Sequence, residues 1–223
     1  MIVLAGAIAL DCLQKMTFAL RTELLRWRKE RELRHYLAYT GTMFVMFVLL
    51  AGMASISRIT ALYNNYHAPM SILKNLPEQT DETFVCFGKD WYRSPSSFHL
   101  PHLYRQRFVP SEFTGQLPAP YQEVHNATRL IHPYFNDQNI GDNRTYIHPS
   151  KCHYLVDSDV GTPTKLQPSY FKNTNKWEII NSIPILDVSL SHKICRAFYI
   201  PVLSRKNVVY ANLYLLKNKL IGY

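Results

Sequence analysis

The sequence predicts a membrane protein in two unequal parts, terminal transmembrane helices followed by an α+β domain of about 160 residues. Three features predict it. Tyr36 to Ser57, YLAYTGTMFVMFVLLAGMASIS, is 22 residues long and holds no acidic or basic side chain. Basic residues crowd the N-terminal side of that stretch. From Leu62 onward the pattern changes to short apolar-aromatic runs separated by turn residues.

The first ten residues, MIVLAGAIAL, are apolar and are followed by Asp11, Gln14 and Lys15. Ten residues cannot span a bilayer, and the basic n-region of a signal peptide is missing. Residues 1–14 are therefore expected to be the tail of a spanning helix whose beginning lies upstream of Met1. Lys15 to His35, KMTFALRTELLRWRKERELRH, contains good helix formers and no Gly or Pro. Its glutamates lie three or four residues from Arg and Lys, a spacing for helical ion pairs. Residues 15–35 read as a charged helical connector.

Residues 36–57 would extend roughly 33 Å as a helix, enough for a hydrocarbon core of about 30 Å. A helix in a soluble core rarely stays uncharged all round for six turns, so a transmembrane span is the better reading. Seven Lys/Arg lie between Lys15 and Arg34, whereas Arg58 and Lys74 alone follow the span closely. Basic residues favour the cytoplasmic side, which makes the connector cytoplasmic and puts residues 58–223 across the membrane. Two glycosylation acceptors, Asn126-Ala127-Thr128 and Asn143-Arg144-Thr145, lie beyond the span and agree with that direction.

In the expected domain, apolar and β-branched runs predict strands at Thr83–Phe87, Arg107–Val109, Tyr154–Val156, Arg196–Ile200 and Val208–Leu216. Helices are predicted at Met70–Leu76, Ser94–Leu100 and Leu186–Cys195. The formal charge of +9 does not imply nucleic acid, because the cations beyond the span form no basic run or helical stripe. Of four cysteines, Cys12 lies at the membrane edge. Cys86, Cys152 and Cys195 fall in the oxidising compartment, where a Cys86–Cys152 bridge and buried free thiols both fit.

No metal site is predicted. His99 and His102 flank Pro101, and Cys152-His153 has no further ligands at zinc spacing. GxSxG, P-loop and GxGxxG motifs are absent. In CFGKDWYRSPSSFHLP, Cys86 to Pro101, Ser94 and Pro95 read as an N-cap and first helical residue beside Lys89 and Arg93. That arrangement could receive a phosphate, but an ordinary strand-turn-helix junction with surface basic residues is the better reading of the spacing. In FVPSEFTGQLPAPY, Phe108 to Tyr121, Glu112 and Gln116 sit among aromatic and proline residues, and Asn136-Asp137-Gln138-Asn139 adds polar groups. Such groups can grip a sugar, and they also build rigid turns.

These stretches, with LYNNYHAPM, KCHYLVD and RAFYIPVLS, resemble in the same order the C-terminal part of the endoplasmic-reticulum mannosyltransferases of glycosyltransferase family 22. The resemblance implies the end of a multipass membrane enzyme. It would move mannose from dolichyl-phosphate mannose onto a lipid-linked oligosaccharide in N-glycan precursor assembly, at the lumenal face and with inversion. Dolichyl-phosphate mannose is the donor substrate, and no cofactor is implied. Inversion needs a carboxylate to take the acceptor proton. In this family that residue precedes the stretch corresponding to Met1, so no catalytic residue is expected here. The C-terminal domain would cap the catalytic cavity and hold the lipid-linked acceptor, with Trp91, Tyr92, Arg93, Glu112 and Gln116 as contacts. The competing expectation is a noncatalytic truncated membrane protein that binds glycolipid or a partner.

Overall fold

Two long helices begin the computed structural model, which describes residues 2–25, 30–93, 97–122 and 124–221. Helix α1, Ile2–Leu25, carries the apolar first residues straight into the charged segment without a break. Residues 26–29 of the expected connector lie outside the described residues. Helix α2, Glu30–Tyr66, contains the uncharged stretch and continues past Arg58. Within it Ala38–Tyr66 is, among the described residues, the one segment long and apolar enough to cross a membrane. Its 29 residues extend about 43 Å, longer than a hydrocarbon core of about 30 Å. Met43, Phe47, Leu50 and Met53 are exposed on it, unlike the side chains of a soluble core helix.

The chain divides into two compact units, Met1–Arg58 and Ile59–Tyr223. In the second, a short helix α3, Ala68–Ile72, starts with proline in its first turn, where a missing N–H costs nothing. Strands β1 (Thr83–Phe87), β2 (Tyr104–Phe108), β3 (Tyr154–Ser158), β4 (Trp177–Leu186) and β5 (Tyr210–Asn218) form one mixed sheet. Its order is β2-β1-β3-β5-β4. Strand β1 runs parallel to β2 and β3, while β5 is antiparallel to β3 and β4.

Alternation along the central strands builds a core on each face. Val85, Phe87, Tyr154, Val156, Leu213 and Leu215 pack with Ala68 and Ile72 of α3. Cys86, Leu155 and Leu216 join Val109, Cys152 and Trp177 on the other side. Cys86 and Cys152 are joined in a disulfide with a Cα separation of 5.8 Å, which closes one of the two states left open by spacing. Cys195 is a buried free thiol and Cys12 an exposed one.

Three predicted elements are corrected. Leu186 ends β4 instead of starting a helix, and Asp187 caps a turn by accepting from Ser189 N at 2.9 Å and Leu190 N at 3.2 Å. That local carboxylate bond competes with helix formation. Arg196–Ile200 is not a strand, because Lys193–Ala197 is a helix, α4. It is followed by α5, Leu203–Asn207. Strand β4 was not expected because Asn181, Ser182 and Pro184 interrupt its apolar pattern. At the sheet edge proline is tolerated, and a register shift absorbs the interruption. Of the predicted helix Ser94–Leu100, Ser97–His99 is a single 3₁₀ turn, and Ser94 and Pro95 lie outside the described residues.

Candidate functional site

The end of β1 sets the first wall of the site. The chain turns at Gly88, whose carbonyl accepts from Trp91 N at 3.2 Å, and Trp91–Arg93 forms a 3₁₀ turn. Trp91 packs its ring against Phe113 at 5.0 Å and edge-on to Phe108 at 6.1 Å. Its indole Nε1 is buried without a hydrogen-bond partner, an uncommon state for a polar group.

The second wall comes from two loops clipped together. Gln116 N donates to Asn139 Oδ1 at 3.0 Å, and Gln116 Nε2 donates to the Asn136 carbonyl at 2.6 Å. Asn136 also exchanges bonds with Ile140 through both ends of its amide. Gly141 donates to the Thr114 carbonyl at 2.8 Å. A Cβ at Gly141 would stand 2.7 Å from the Gly115 oxygen, so only glycine permits this approach. Asn136 and Asn139 thus serve the loop, which is the turn-building reading of that sequence.

Between these walls lies a pocket of about 430 Å³ lined by Trp91, Gln116, Pro118, Pro120, His132, Tyr134 and Asp142, among others. The volume is within the roughly 300–1,000 Å³ of small-ligand sites. An adjoining hollow of about 240 Å³ shares Pro120, His132 and Tyr134 and adds Arg107 and Arg144. Arg144 stacks on the Tyr134 ring, its Cζ 3.4 Å from the centroid, and pairs with Asp142 at 2.6 Å. Hydrogen bonds from Arg144 hold the Asp142 carboxyl down at about 2. The pocket therefore offers aromatic and proline faces, an amide and, at its edge, the ionised Asp142–Arg144 pair. Those groups suit the C–H faces and hydroxyls of a carbohydrate.

Of the expected contact residues, Trp91 and Gln116 line this pocket and three do not. Tyr92 is exposed beside it in sequence but is absent from its lining. Arg93 turns inward to pair with buried Asp90 at 3.0 Å and to reach the Leu186 carbonyl at 3.4 Å. Asp90 also accepts a short hydrogen bond from Ser158 Oγ. Lys89 donates to the Val160 carbonyl at 2.9 Å. Lys89 and Arg93 are thus committed to the fold, in keeping with the ordinary-junction reading of that stretch. Glu112 accepts from Thr164 Oγ1 at 2.6 Å and ties two loops.

His132, Tyr134, Asp142 and Arg144 were missed, since only the tertiary fold brings 130–145 against 116–121. The acceptor asparagines Asn126 and Asn143 are both exposed, and their neighbours Ala127 and Thr145 line the pocket. One further carboxyl is unusual. Asp157 on β3 accepts from Tyr170 N at 2.8 Å, and burial pushes it up to about 6, but it does not line the pocket.

Comparison with known proteins gives a consistent result. Residues 1–101 match the Alg9-like mannosyltransferase family. The chain is 38% identical to the α-1,2-mannosyltransferase Alg9 of Drosophila melanogaster, covering 98% of this chain and 36% of that protein. It is 41% identical to ALG9 of Homo sapiens over 97% of this chain and 36% of the relative. With ALG9 of Arabidopsis thaliana the identity is 33% over 82% of this chain and 33% of the relative. The chain thus spans about a third of the length of the curated relatives it matches. No solved structure matches it.

Proposed function

Because the chain belongs to the Alg9-like mannosyltransferase family, we propose that it is the C-terminal portion of a multipass endoplasmic-reticulum mannosyltransferase whose Ile59–Tyr223 unit holds the lipid-linked oligosaccharide acceptor in the lumen. The whole enzyme transfers mannose from dolichyl-phosphate mannose, with inversion and without a further cofactor. The observation that carries the acceptor role is the pocket between Trp91 and the clipped loops, with its aromatic and proline faces. The Tyr134 and Trp91 rings would cover sugar C–H faces.

The chemistry of the transfer belongs elsewhere in the enzyme. Asp142 is the carboxylate in the pocket lining and is held ionised by Arg144, far below the range useful to a base at neutral pH. Asp157 has a raised affinity for its proton, but it is turned to backbone amides of Tyr170 and Phe171. Neither is assigned the catalytic role.

The test uses the full-length protein carrying Trp91→Ala, which removes the ring, or His132→Ala on the opposite wall. Mannose transfer is measured against lipid-linked acceptor concentration. An acceptor KM raised about tenfold with kcat nearly unchanged is expected, equivalent to about 1.4 kcal/mol of binding. Unchanged KM in both variants refutes the acceptor site. The 223-residue chain by itself is expected to incorporate no mannose, and measurable transfer by it would put a catalytic carboxylate inside this sequence. A full-length protein that binds acceptor and transfers nothing would instead favour a noncatalytic glycolipid binder.

A further inference from the structure

We propose that Val188–Tyr210 is a second membrane contact, an amphipathic surface lying in the headgroup boundary of the leaflet from which α2 emerges. The inference rests on the reading of Ala38–Tyr66 as a span. Its geometry lies within the Ile59–Tyr223 unit. Asn65, in the last turn of α2, donates through Nδ2 to the Arg196 carbonyl at 2.9 Å and accepts from Tyr210 Oη at 2.7 Å. These bonds fix the α4–α5 segment to the residues at the end of the apolar helix. Tyr63 and Tyr66 are exposed there, as aromatic residues are at a membrane-water boundary.

The segment displays apolar and basic groups together. Leu190, Ile194, Phe198, Val202 and Leu203 are exposed. Lys193, Arg205 and Lys206 are exposed with them, and no Asp or Glu occurs from Val188 to Tyr210. A protein partner covering this face would have to desolvate those cations, whereas lipid phosphates accept them at the depth where the apolar side chains enter the acyl boundary.

The strongest sign is the backbone at Val202. This β-branched residue has φ 68° and ψ −51°, a conformation that L residues avoid. Leu203 N donates to the Pro201 carbonyl at 2.8 Å, closing the rare positive-φ form of the γ-turn. Buried Ser204 holds the turn, with Oγ accepting from Ile200 N at 2.9 Å and lying 3.3 Å from the Cys195 and Phe198 carbonyl oxygens. The fold thus maintains a strained turn that leaves Val202 61% exposed and Leu203 50% exposed. Insertion into lipid accounts for both the strain and the exposure.

The experiment uses the whole chain with Cys12→Ser, reconstituted in vesicles of phosphatidylcholine and phosphatidylserine. An environment-sensitive fluorophore is attached at Val202→Cys, at Val48→Cys within the span, or at Asn175→Cys. Asn175 precedes β4, at the sheet end opposite the Leu186–Tyr210 pair and about 26 Å or more away along the strands. Brominated lipid is expected to extinguish most emission at 202 and 48 and little at 175, while aqueous iodide does the reverse. Lys193→Glu with Arg205→Glu and Lys206→Glu is expected to restore emission at 202 and leave 48 unchanged. Iodide quenching at 202 equal to that at 175, with 48 still lipid-quenched, overturns the contact and leaves the span intact. A label at 202 shielded from both quenchers also overturns it, since a protein then covers the face. Failure of lipid quenching at 48 removes the span and this contact together.

Discussion

Asp157 shows how one buried carboxyl couples this domain to pH. Burial raises it from 3.8 to about 6, against the opposing pull of Lys89 and the amides of Ser158, Phe171 and Tyr170. Between those values the folded protein holds a proton that the unfolded chain has released. The stability this group contributes is therefore fully present below about pH 4 and is lost as pH rises through 6, by roughly 3 kcal/mol. Asp157→Asn is expected to flatten that part of the pH profile, read as denaturation midpoints in detergent at pH 4 and 7. An unchanged slope would assign the dependence to other groups. Nothing in KCHYLVD announced this, because the burial of the aspartate is a product of the tertiary fold, and the amide that meets its carboxyl comes from 13 positions later in the chain. Arg93 illustrates the same limit. Its neighbours in sequence suggested a surface cation, and Asp90 draws it inward.

At the level of elements, the disulfide ties the central strand β1 to the residues leading into β3 across 66 positions. Closing a loop of that length in the unfolded chain is worth about 4 kcal/mol in the chain-entropy description. Cys86→Ser with Cys152→Ser is expected to lower the melting temperature of the domain markedly, measured by thermal unfolding under nonreducing conditions. A melting temperature within a degree or so of the parent would mean that the two-faced core holds the strands unaided. Central strands β1 and β3 were readable from their apolar and β-branched runs. Edge strand β4 was not, since an edge tolerates the polar residues and proline that erase the pattern. The apolar run through Arg196–Ile200 looked like a strand for the opposite reason: Phe198 is exposed and Tyr199 and Ile200 are half-buried, and sequence cannot distinguish such a run from a core.

For the whole molecule, the proposed lumenal position of Ile59–Tyr223 makes Asn126 and Asn143 accessible to glycosylation. Expression in cells is expected to give glycosidase-sensitive mass that Asn126→Gln with Asn143→Gln removes, while an acceptor engineered into Lys15–His35 stays unmodified. Modification of the connector would reverse the orientation. The sequence by itself determined an apolar helix long enough to span, because an uncharged run of membrane length is a local property of composition. It also carried the family resemblance and the residues Trp91 and Gln116. Only the tertiary structure decided that these two share a pocket with His132, Tyr134 and Asp142, that Glu112, Lys89 and Arg93 serve the fold, and that Val188–Tyr210 forms an apolar and basic surface at the end of α2. Pockets and surfaces are made by contacts between distant segments, and a side chain's role there depends on which partners fold against it.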